Sequence, residues 1–150
     1  MTTSITRWVE TDTGHRVPNH SSKCRHIHGH RYRWEAEIEG DVVEHEGVSE
    51  QGMLMDFSAV SAILNEYIHD VVDHAFLVYS DDDEMLDALK ILGDEHRTVI
   101  LPFIPTAENL AKWAFECIAP HIATEYGNRV RLVAMHVRKT PKSRATWRID

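Results

Sequence analysis

The residues of this sequence best suited to chemistry form the stretch Cys24-Arg25-His26-Ile27-His28-Gly29-His30. From Arg31 to Glu39, apolar and charged residues alternate, which predicts a β-strand with one solvated face. Extended back by two steps, the alternation puts His28 and His30 side by side on one face of that strand. Two neutral imidazoles held in this way can occupy two corners of a tetrahedral zinc ion. The stretch therefore predicts half of a metal site.

A third imidazole distinguishes a metal site from an ordinary polar strand, because an isolated His-x-His pair usually belongs to the latter. His15 follows a first predicted strand, Ile5 to Glu10. It reaches the pair if the two strands are neighbours joined by the loop Val17 to Lys23. Three imidazoles without a fourth protein ligand suit a catalytic zinc ion, which keeps one position open for water or substrate.

Two further elements could move protons. Cys24 lies in a predicted loop beside basic neighbours and close to the predicted metal, and both surroundings favour its thiolate. Asp73 precedes His74, and an aspartate can hold an imidazole in one tautomer and stabilise its cation. Adjacent residues need not touch, however, and Asp-His is a common dipeptide. A catalytic and a purely structural role therefore both stay open for this pair.

The composition is that of a globular protein of one domain, residues 1–150. The sequence is 43% hydrophobic and 27% charged, ordinary values for a protein with a single core. No apolar run approaches the roughly 20 residues that cross a bilayer, and Met1 to Glu10 lacks the features of a signal peptide. Cys117 lies on the apolar stripe of a predicted helix and is expected to be a reduced core thiol. We therefore expect a cytoplasmic protein.

The net charge of −8 argues against a general nucleic-acid or membrane-surface binder. Between positions 129 and 150, however, basic residues are concentrated and Asp150 is the only acid. The basic residues there are Arg129, Arg131, Arg138, Lys139, Lys142, Arg144 and Arg148. This segment could serve an anionic ligand such as a polyphosphate. The alternative is a solvated strand face, offset by acidic neighbours such as Glu35, Glu37 and Glu39.

Helical periodicity predicts helices between the strands. Ser58 to Val72 is an amphipathic helix capped by Asp56 or Ser58, and a shorter helix covers Ser80 to Leu92. A third helix opens at Pro105, with Thr106 as its N-cap, and runs to Pro120. The remaining predicted strands are Thr98 to Leu101, Val130 to Val137 and Ala145 to Ile149. Two hairpins separated by helices predict an α+β layer structure, an antiparallel sheet with helices on one face.

Six elements of the sequence together resemble a known family. They are His15, Cys24-x3-His28-Gly29-His30, Gly52-Met53 to Asp56-Phe57, Asp73-His74, Pro105-Thr106-Ala107-Glu108-Asn109-Leu110, and Thr140-Pro141-x-Ser143. In this order they resemble the 6-pyruvoyl-tetrahydropterin synthase and 6-carboxy-tetrahydropterin synthase family over nearly the whole chain. The resemblance implies a tunnelling fold (T-fold), a four-stranded antiparallel sheet with two long helices on one face. It also implies assembly into a barrel-like homo-oligomer, typically a hexamer of two trimers, with active sites between subunits.

The resemblance also implies roles for individual residues. The implied zinc ligands are His15, His28 and His30, in agreement with the spacing. The implied proton-transfer groups are Cys24, Asp73 and His74. The implied residues of the pterin pocket are Thr106 and Glu108.

The implied substrate is 7,8-dihydroneopterin triphosphate. In the carboxy-type branch of the family, side-chain cleavage yields 6-carboxy-5,6,7,8-tetrahydropterin, acetaldehyde and triphosphate, for deazapurine (queuosine-type) biosynthesis. The pyruvoyl-type branch eliminates triphosphate by internal redox instead. The compact Cys-x3-His-Gly-His element and the short chain favour the carboxy-type lyase.

Lys139 departs from the family pattern, which has a pterin-anchoring glutamate before Thr140-Pro141. A carboxylate accepts two hydrogen bonds from the amide and amino edge of the ring, whereas an ammonium group only donates. We expect Glu108 or another acid to take over the ring edge with Lys139 as its counter-ion; otherwise the natural ligand presents an acceptor to Lys139. The alternatives are a lyase of the same scaffold with another substrate and a non-catalytic ligand-binding protein.

Overall fold

A long β-hairpin forms the centre of the structure, a computed structural model that describes residues 2–150. Strand β1 (Thr3–His15) pairs antiparallel with β2 (His28–Gly40) along its full length. On β2 the predicted alternation is confirmed, because its apolar side chains are buried and the charged side chains between them are not. The hairpin also confirms that the strands carrying the three predicted zinc ligands are neighbours.

In residues 2–150 the sheet has six strands in the order β4-β3-β1-β2-β5-β6, and two of its strand pairs are parallel, so the expectation of a four-stranded antiparallel sheet is wrong. Strands β5 (Val130–Thr140) and β6 (Ser143–Arg148) continue the antiparallel sheet beside β2. Strands β3 (Phe76–Tyr79) and β4 (Thr98–Leu101) are parallel to β1 and extend the other side. The sequence did not predict β3 because its four residues are all apolar or aromatic and show no alternation of polarity.

The first long helix forms where the sequence predicts it. Helix α1 (Phe57–Leu64) continues through a π-helical turn, Asn65–His69, into the last turn α2 (Asp70–Val72). Asp56 is the N-cap, since its carboxylate accepts the N–H of Ser58 at 2.7 Å. The π-helical turn is not predictable from the periodicity, which continues across it.

The second long helix, α4 (Ala107–Tyr126), extends beyond Pro120, where the sequence predicts its end. Thr106 is the N-cap, as predicted. A proline inside a helix costs about 3 kcal/mol. Ile118 and Ile122 on either side of the proline are buried in the core, so apolar packing offsets that cost.

Both long helices pack on one face of the sheet, where their buried residues form one core with the buried residues of β2. The short helix α3 (Asp83–Lys90) instead packs on β3 through Met85, Leu89 and Val78. It ends before the predicted end, and Leu92 is exposed. Within residues 2–150, no helix has both the length and the apolarity that crossing a bilayer requires.

Candidate metal centre and substrate cleft

The β1–β2 hairpin assembles the three predicted zinc ligands at one end of the core. His15 and His28 are direct cross-strand partners, and His30 pairs with Thr13 on the same face. The ring centroid of His15 lies 4.6 Å from that of His28 and 5.2 Å from that of His30. One ring nitrogen from each of the three imidazoles lies within 4.8 Å of the others. A single ion can therefore contact all three rings after small side-chain adjustments.

Hydrogen bonds to backbone carbonyls fix the tautomers of two of these rings. Nδ1 of His15 donates to the carbonyl of Pro105 at 2.7 Å, and Nδ1 of His28 donates to that of His26 at 2.6 Å. Nε2 is then the lone-pair nitrogen of both rings. Nε2 of His30 is buried without a hydrogen-bond partner among the described residues. A buried ring nitrogen normally has a partner, and a metal ion would supply one here.

The electrostatics of the centre favour neutral imidazoles. Burial lowers the pKa of His15 to about 4, although the hydrogen bond to Pro105 acts in the opposite direction. Burial also lowers the pKa of His30, and the charges of His28 and Lys139 lower it further. Neutral imidazole is the form that binds a metal ion. The residues present therefore fit a zinc ion with an open fourth position.

A layer of aromatic and hydroxyl side chains supports the imidazoles from the core. The hydroxyl of Tyr32 lies 3.2 Å from both ring nitrogens of His15, and Tyr32 is fully buried. The indole N–H of Trp34 donates to Thr11 at 2.9 Å, and the hydroxyl of Thr13 donates to the carbonyl of Val72 at 3.0 Å. The sequence analysis assigned no role in the site to Tyr32. The alternation of β2 was the available signal, because it places Tyr32 on the face of His28 and His30.

Asp73 and His74 do contact each other, which their adjacency alone could not establish. Nδ1 of His74 donates to the Asp73 carboxylate at 2.8 Å. Burial raises the pKa of Asp73, but hydrogen bonds from Asp12 and His74 and the charges of nearby histidines outweigh it and lower the pKa overall. The ionised carboxylate therefore holds His74 with its Nε2 as the proton-accepting atom.

The backbone of β1 holds this pair in place. The N–H of Asp12 donates to the Asp73 carboxylate at 3.0 Å, and the N–H of His74 donates to the Asp12 carbonyl at 2.7 Å. His74 has a φ of 56°, a left-handed conformation that is uncommon outside glycine. Two reciprocal bonds to one residue thus maintain an unusual backbone geometry at His74. The sequence carries no signal for these two hydrogen bonds of the Asp12 backbone.

Cys24 lies in a single 3₁₀ turn, Lys23–Arg25, which precedes β2 in the sequence. Its carbonyl accepts the N–H of Val17 at 2.7 Å, and its side chain is half-buried. Its sulfur is not within the group of three ligand nitrogens. A cavity of about 490 Å³ lined by His74 does not include Cys24 among its lining residues. Of the three predicted proton-transfer residues, His74 is therefore the one that lines this cavity.

A cleft opens beside the metal centre where β2 and β5 separate. Their pairing ends at Arg33↔Arg138, and beyond that pair the two strands enclose a cavity of about 500 Å³. Its lining includes His30 of the metal centre, together with Lys139 and Pro141 on the opposite wall. The cleft thus connects the imidazoles to the segment that departs from the family pattern.

Lys139 also lines a second, smaller cavity of about 170 Å³ together with Glu108. The structure therefore brings these two predicted substrate-binding residues together. Among residues 2–150, however, no salt bridge joins them, so the expected ion pair does not form in the single chain. Thr106 caps helix α4 by accepting the N–H of Asn109 at 3.3 Å. That bond orients its hydroxyl at the helix start, beside Glu108 in the first turn.

Two glycines face each other beside the imidazoles, at the pair Gly14↔Gly29 of the hairpin. A Cβ on Gly14 would lie 2.8 Å from the ring of Phe76, and a Cβ on Gly29 would lie 3.2 Å from the Thr13 carbonyl. Gly29 lines both the 500 Å³ cleft and the 490 Å³ cavity that contains His74. The backbone of β2 is thus the wall between these two cavities.

Comparison with known proteins identifies the family. The sequence model described as 6-pyruvoyl tetrahydropterin synthase matches residues 4–150. The chain belongs to this family. One similar protein is the 6-carboxy-5,6,7,8-tetrahydropterin synthase of Haemophilus influenzae. It is 32% identical to this chain over 113 residues, which cover 74% of this chain and 78% of that protein. The enzyme of the same name from Rickettsia felis is 32% identical over 106 residues, 71% of this chain and 72% of that protein.

Solved structures show the same fold. An uncharacterised protein of Wolinella succinogenes, WS1659, aligns with a TM-score of 0.79 at 22% identity and covers 100% of this chain and 99% of its own. The 6-pyruvoyl tetrahydropterin synthase of Caenorhabditis elegans aligns with a TM-score of 0.65 at 21% identity, covering 100% and 97%. The α+β fold of this chain is therefore that of a pterin synthase.

Proposed function

We propose that this chain is a zinc-dependent 6-carboxy-5,6,7,8-tetrahydropterin synthase, a lyase acting on 7,8-dihydroneopterin triphosphate. The observation that carries the proposal is the three-imidazole centre, with a partnerless Nε2 on His30, in a chain of this family. Relatives named for this reaction support the carboxy-type product. The reaction consumes one water and releases acetaldehyde and triphosphate.

In this proposal His15, His28 and His30 hold the zinc ion, which when bound polarises the side-chain oxygens of the substrate and acidifies the neighbouring carbon. Cys24 as its thiolate removes a proton from that carbon. His74 exchanges a second proton through Nε2, because its Nδ1–H is held by Asp73. The same aspartate stabilises the imidazolium cation that forms when His74 accepts a proton.

The proposal includes a homo-oligomer, expected to be a hexamer of two trimers. Its support is that Cys24 is not among the residues lining the cavity of His74, since residues of a neighbouring subunit would complete the set. Mixing Cys24→Ala chains with His74→Ala chains tests this arrangement. Shared sites would restore part of the activity that each variant lacks alone. Sites within one chain would give no recovery after subunit exchange.

Product analysis by mass spectrometry tests the reaction itself, using purified zinc-loaded protein and 7,8-dihydroneopterin triphosphate. Formation of 6-carboxytetrahydropterin with acetaldehyde supports the proposal. The 6-pyruvoyl product with triphosphate but no acetaldehyde would assign the second branch of the family, which the Caenorhabditis elegans structural neighbour represents. Binding without turnover would indicate a non-catalytic ligand-binding protein.

A further inference from the structure

The cleft between β2 and β5 is strongly cationic in a chain whose net charge is −8. Four basic side chains line it, and Glu10 is the only carboxylate among its lining residues. The basic residues are Arg31, Arg33, Arg138 and Lys139. They come from two strands and line the same cleft as His30, one of the three predicted metal ligands.

Two of these four cations already have partners. Arg31 contacts Glu10 at 2.6 Å and Asp12 at 3.1 Å. Arg33 contacts the other oxygen of Glu10 at 3.3 Å, and its guanidinium lies 4.0 Å above the ring of Trp8. Glu10 and Asp12 together balance these two guanidinium groups, so any excess of positive charge in the cleft comes from the other two basic residues.

The other two, Arg138 and Lys139, form no salt bridge with any residue between positions 2 and 150. Their neighbours in the basic C-terminal segment differ. Arg131 contacts Glu39 at 3.8 Å, and Arg148 contacts Glu37 at 2.7 Å. The alternative of a solvated strand face offset by acidic neighbours therefore describes Arg131 and Arg148. It does not describe the two residues in the cleft.

A zinc ion on three neutral imidazoles would keep its full double positive charge, with no carboxylate ligand to reduce it. Lys139 lines the same cleft as His30, so its charge would add to that of the metal ion. Unbalanced cations at this density repel one another, and a bound polyanion would relieve the repulsion. Arginine also matches phosphate geometry through paired N–H donors.

We propose that this cleft is a binding site for a polyphosphate anion, with Arg138 and Lys139 as its principal contacts. The inference rests on the proposed function only for the identity of the anion, which would be the triphosphate chain of the substrate. Lys139 then serves as a counter-ion of the substrate rather than of Glu108. Because Lys139 also lines the cavity of Glu108, the pterin ring and the triphosphate would lie on opposite sides of this lysine.

Titration calorimetry with inorganic tripolyphosphate tests the site without any pterin. The protein is used free of zinc, because tripolyphosphate itself chelates the metal. Wild-type protein should bind tripolyphosphate, and it should bind orthophosphate at least about tenfold more weakly, since fewer charges are matched. Raising the salt concentration should weaken binding through screening.

The variants Arg138→Met and Lys139→Met remove the charge but keep an apolar stem, and each should weaken tripolyphosphate binding about tenfold or more. Arg131→Met is the matched control on the same strand and should change it less than about twofold. Melting temperatures of all variants establish that they are folded. Wild-type protein that fails to bind, or charge-removed variants that bind as tightly as wild type, would overturn the inference.

A separate turnover assay distinguishes this inference from the proposed function. Tripolyphosphate binding that depends on Lys139 without any pterin product would keep the anion site and reject the proposed substrate. Pterin turnover with an unchanged KM in Lys139→Met and Arg138→Met would keep the proposed function and reject the anion site.

Discussion

The imidazole of His15 donates from Nδ1 to the backbone carbonyl of Pro105, 90 residues away, at 2.7 Å. Pro105 immediately precedes Thr106, the N-cap of α4, so the start of that helix sets the tautomer of a residue at the end of β1. The metal centre is therefore coupled to the packing of α4 on the sheet. A lone pair on Nε2 of His15 is fixed before any metal ion binds.

The arrangement of the three imidazoles predicts how much zinc the protein retains. Wild-type protein should retain about one zinc ion per chain, and His28→Ala and His30→Ala should each lower zinc affinity by about 100-fold or more, because two imidazoles make an incomplete site. Elemental analysis after dialysis measures this. His45→Ala, at an exposed histidine, is the control and should retain its zinc. Undiminished zinc in both site variants would reject the ligand assignment.

Replacement of Cys24 by alanine should lower kcat by about 10² to 10⁴-fold while zinc content stays unchanged, because in the proposed mechanism the thiolate moves a proton and does not bind the metal. Burial raises the pKa of Cys117, so its thiol is protonated and Cys117→Ala should have a smaller effect on activity. Steady-state kinetics and metal analysis on the same samples separate these roles. Loss of zinc in Cys24→Ala would make the cysteine a fourth ligand.

Asp73→Asn should lower kcat by about 10² to 10⁴-fold with little change in zinc content, because the amide no longer fixes the tautomer of His74 or stabilises its cation. Asp70→Asn, an exposed neighbour, is the matched control. The measurement is kcat with a saturating substrate concentration. Equal activities of the two variants would show that the Asp73–His74 contact is only structural.

If Glu108 anchors the pterin ring as expected, Glu108→Gln should raise the KM for 7,8-dihydroneopterin triphosphate by about tenfold or more, because a charge-assisted hydrogen bond to the ring edge is lost. Glu116→Gln alters an exposed carboxylate on the same helix and should leave KM unchanged. Initial rates over a range of substrate concentrations measure the difference. An unchanged KM in Glu108→Gln would show that Glu108 does not bind the edge of the pterin ring.

Stability should depend on pH through Asp82, whose carboxylate binds both Arg16 and the first turn of α3. Hydrogen bonds from Arg16 lower the pKa of Asp82 in the folded state. The resulting stabilisation is present above the unfolded value of about 3.9 and is lost as pH falls through the folded pKa. Arg16→Met should therefore cost about 2 to 4 kcal/mol at neutral pH and less in acid.

Urea unfolding at several pH values measures the difference between wild type and Arg16→Met. Lys90→Met breaks an exposed pair with Asp87, and it should cost less than about 1 kcal/mol at any pH. A constant cost of Arg16→Met down to pH 2 would contradict the assigned linkage.

The β1–β2 hairpin and the imidazole face could be predicted from sequence because alternation of polarity fixes which side chains share a face. The same signal is absent in β3, whose four residues are all apolar or aromatic, and its addition parallel to β1 depends on contacts distant in sequence. The contacts of Asp12 with Asp73 and His74 are also invisible in the sequence, since they are made by the backbone. The extension of α4 past Pro120 is a matter of core packing that local propensity does not include.

The shared wall at Gly29 has a consequence for how this site can change during evolution. A side chain added there would enter the space between two strands and alter the cleft and the His74 cavity at once. A substitution at Gly29 therefore cannot alter one of these two cavities independently of the other. Lys139, by contrast, lines the cleft but not the His74 cavity, so a substitution at this position would alter the cleft alone of these two.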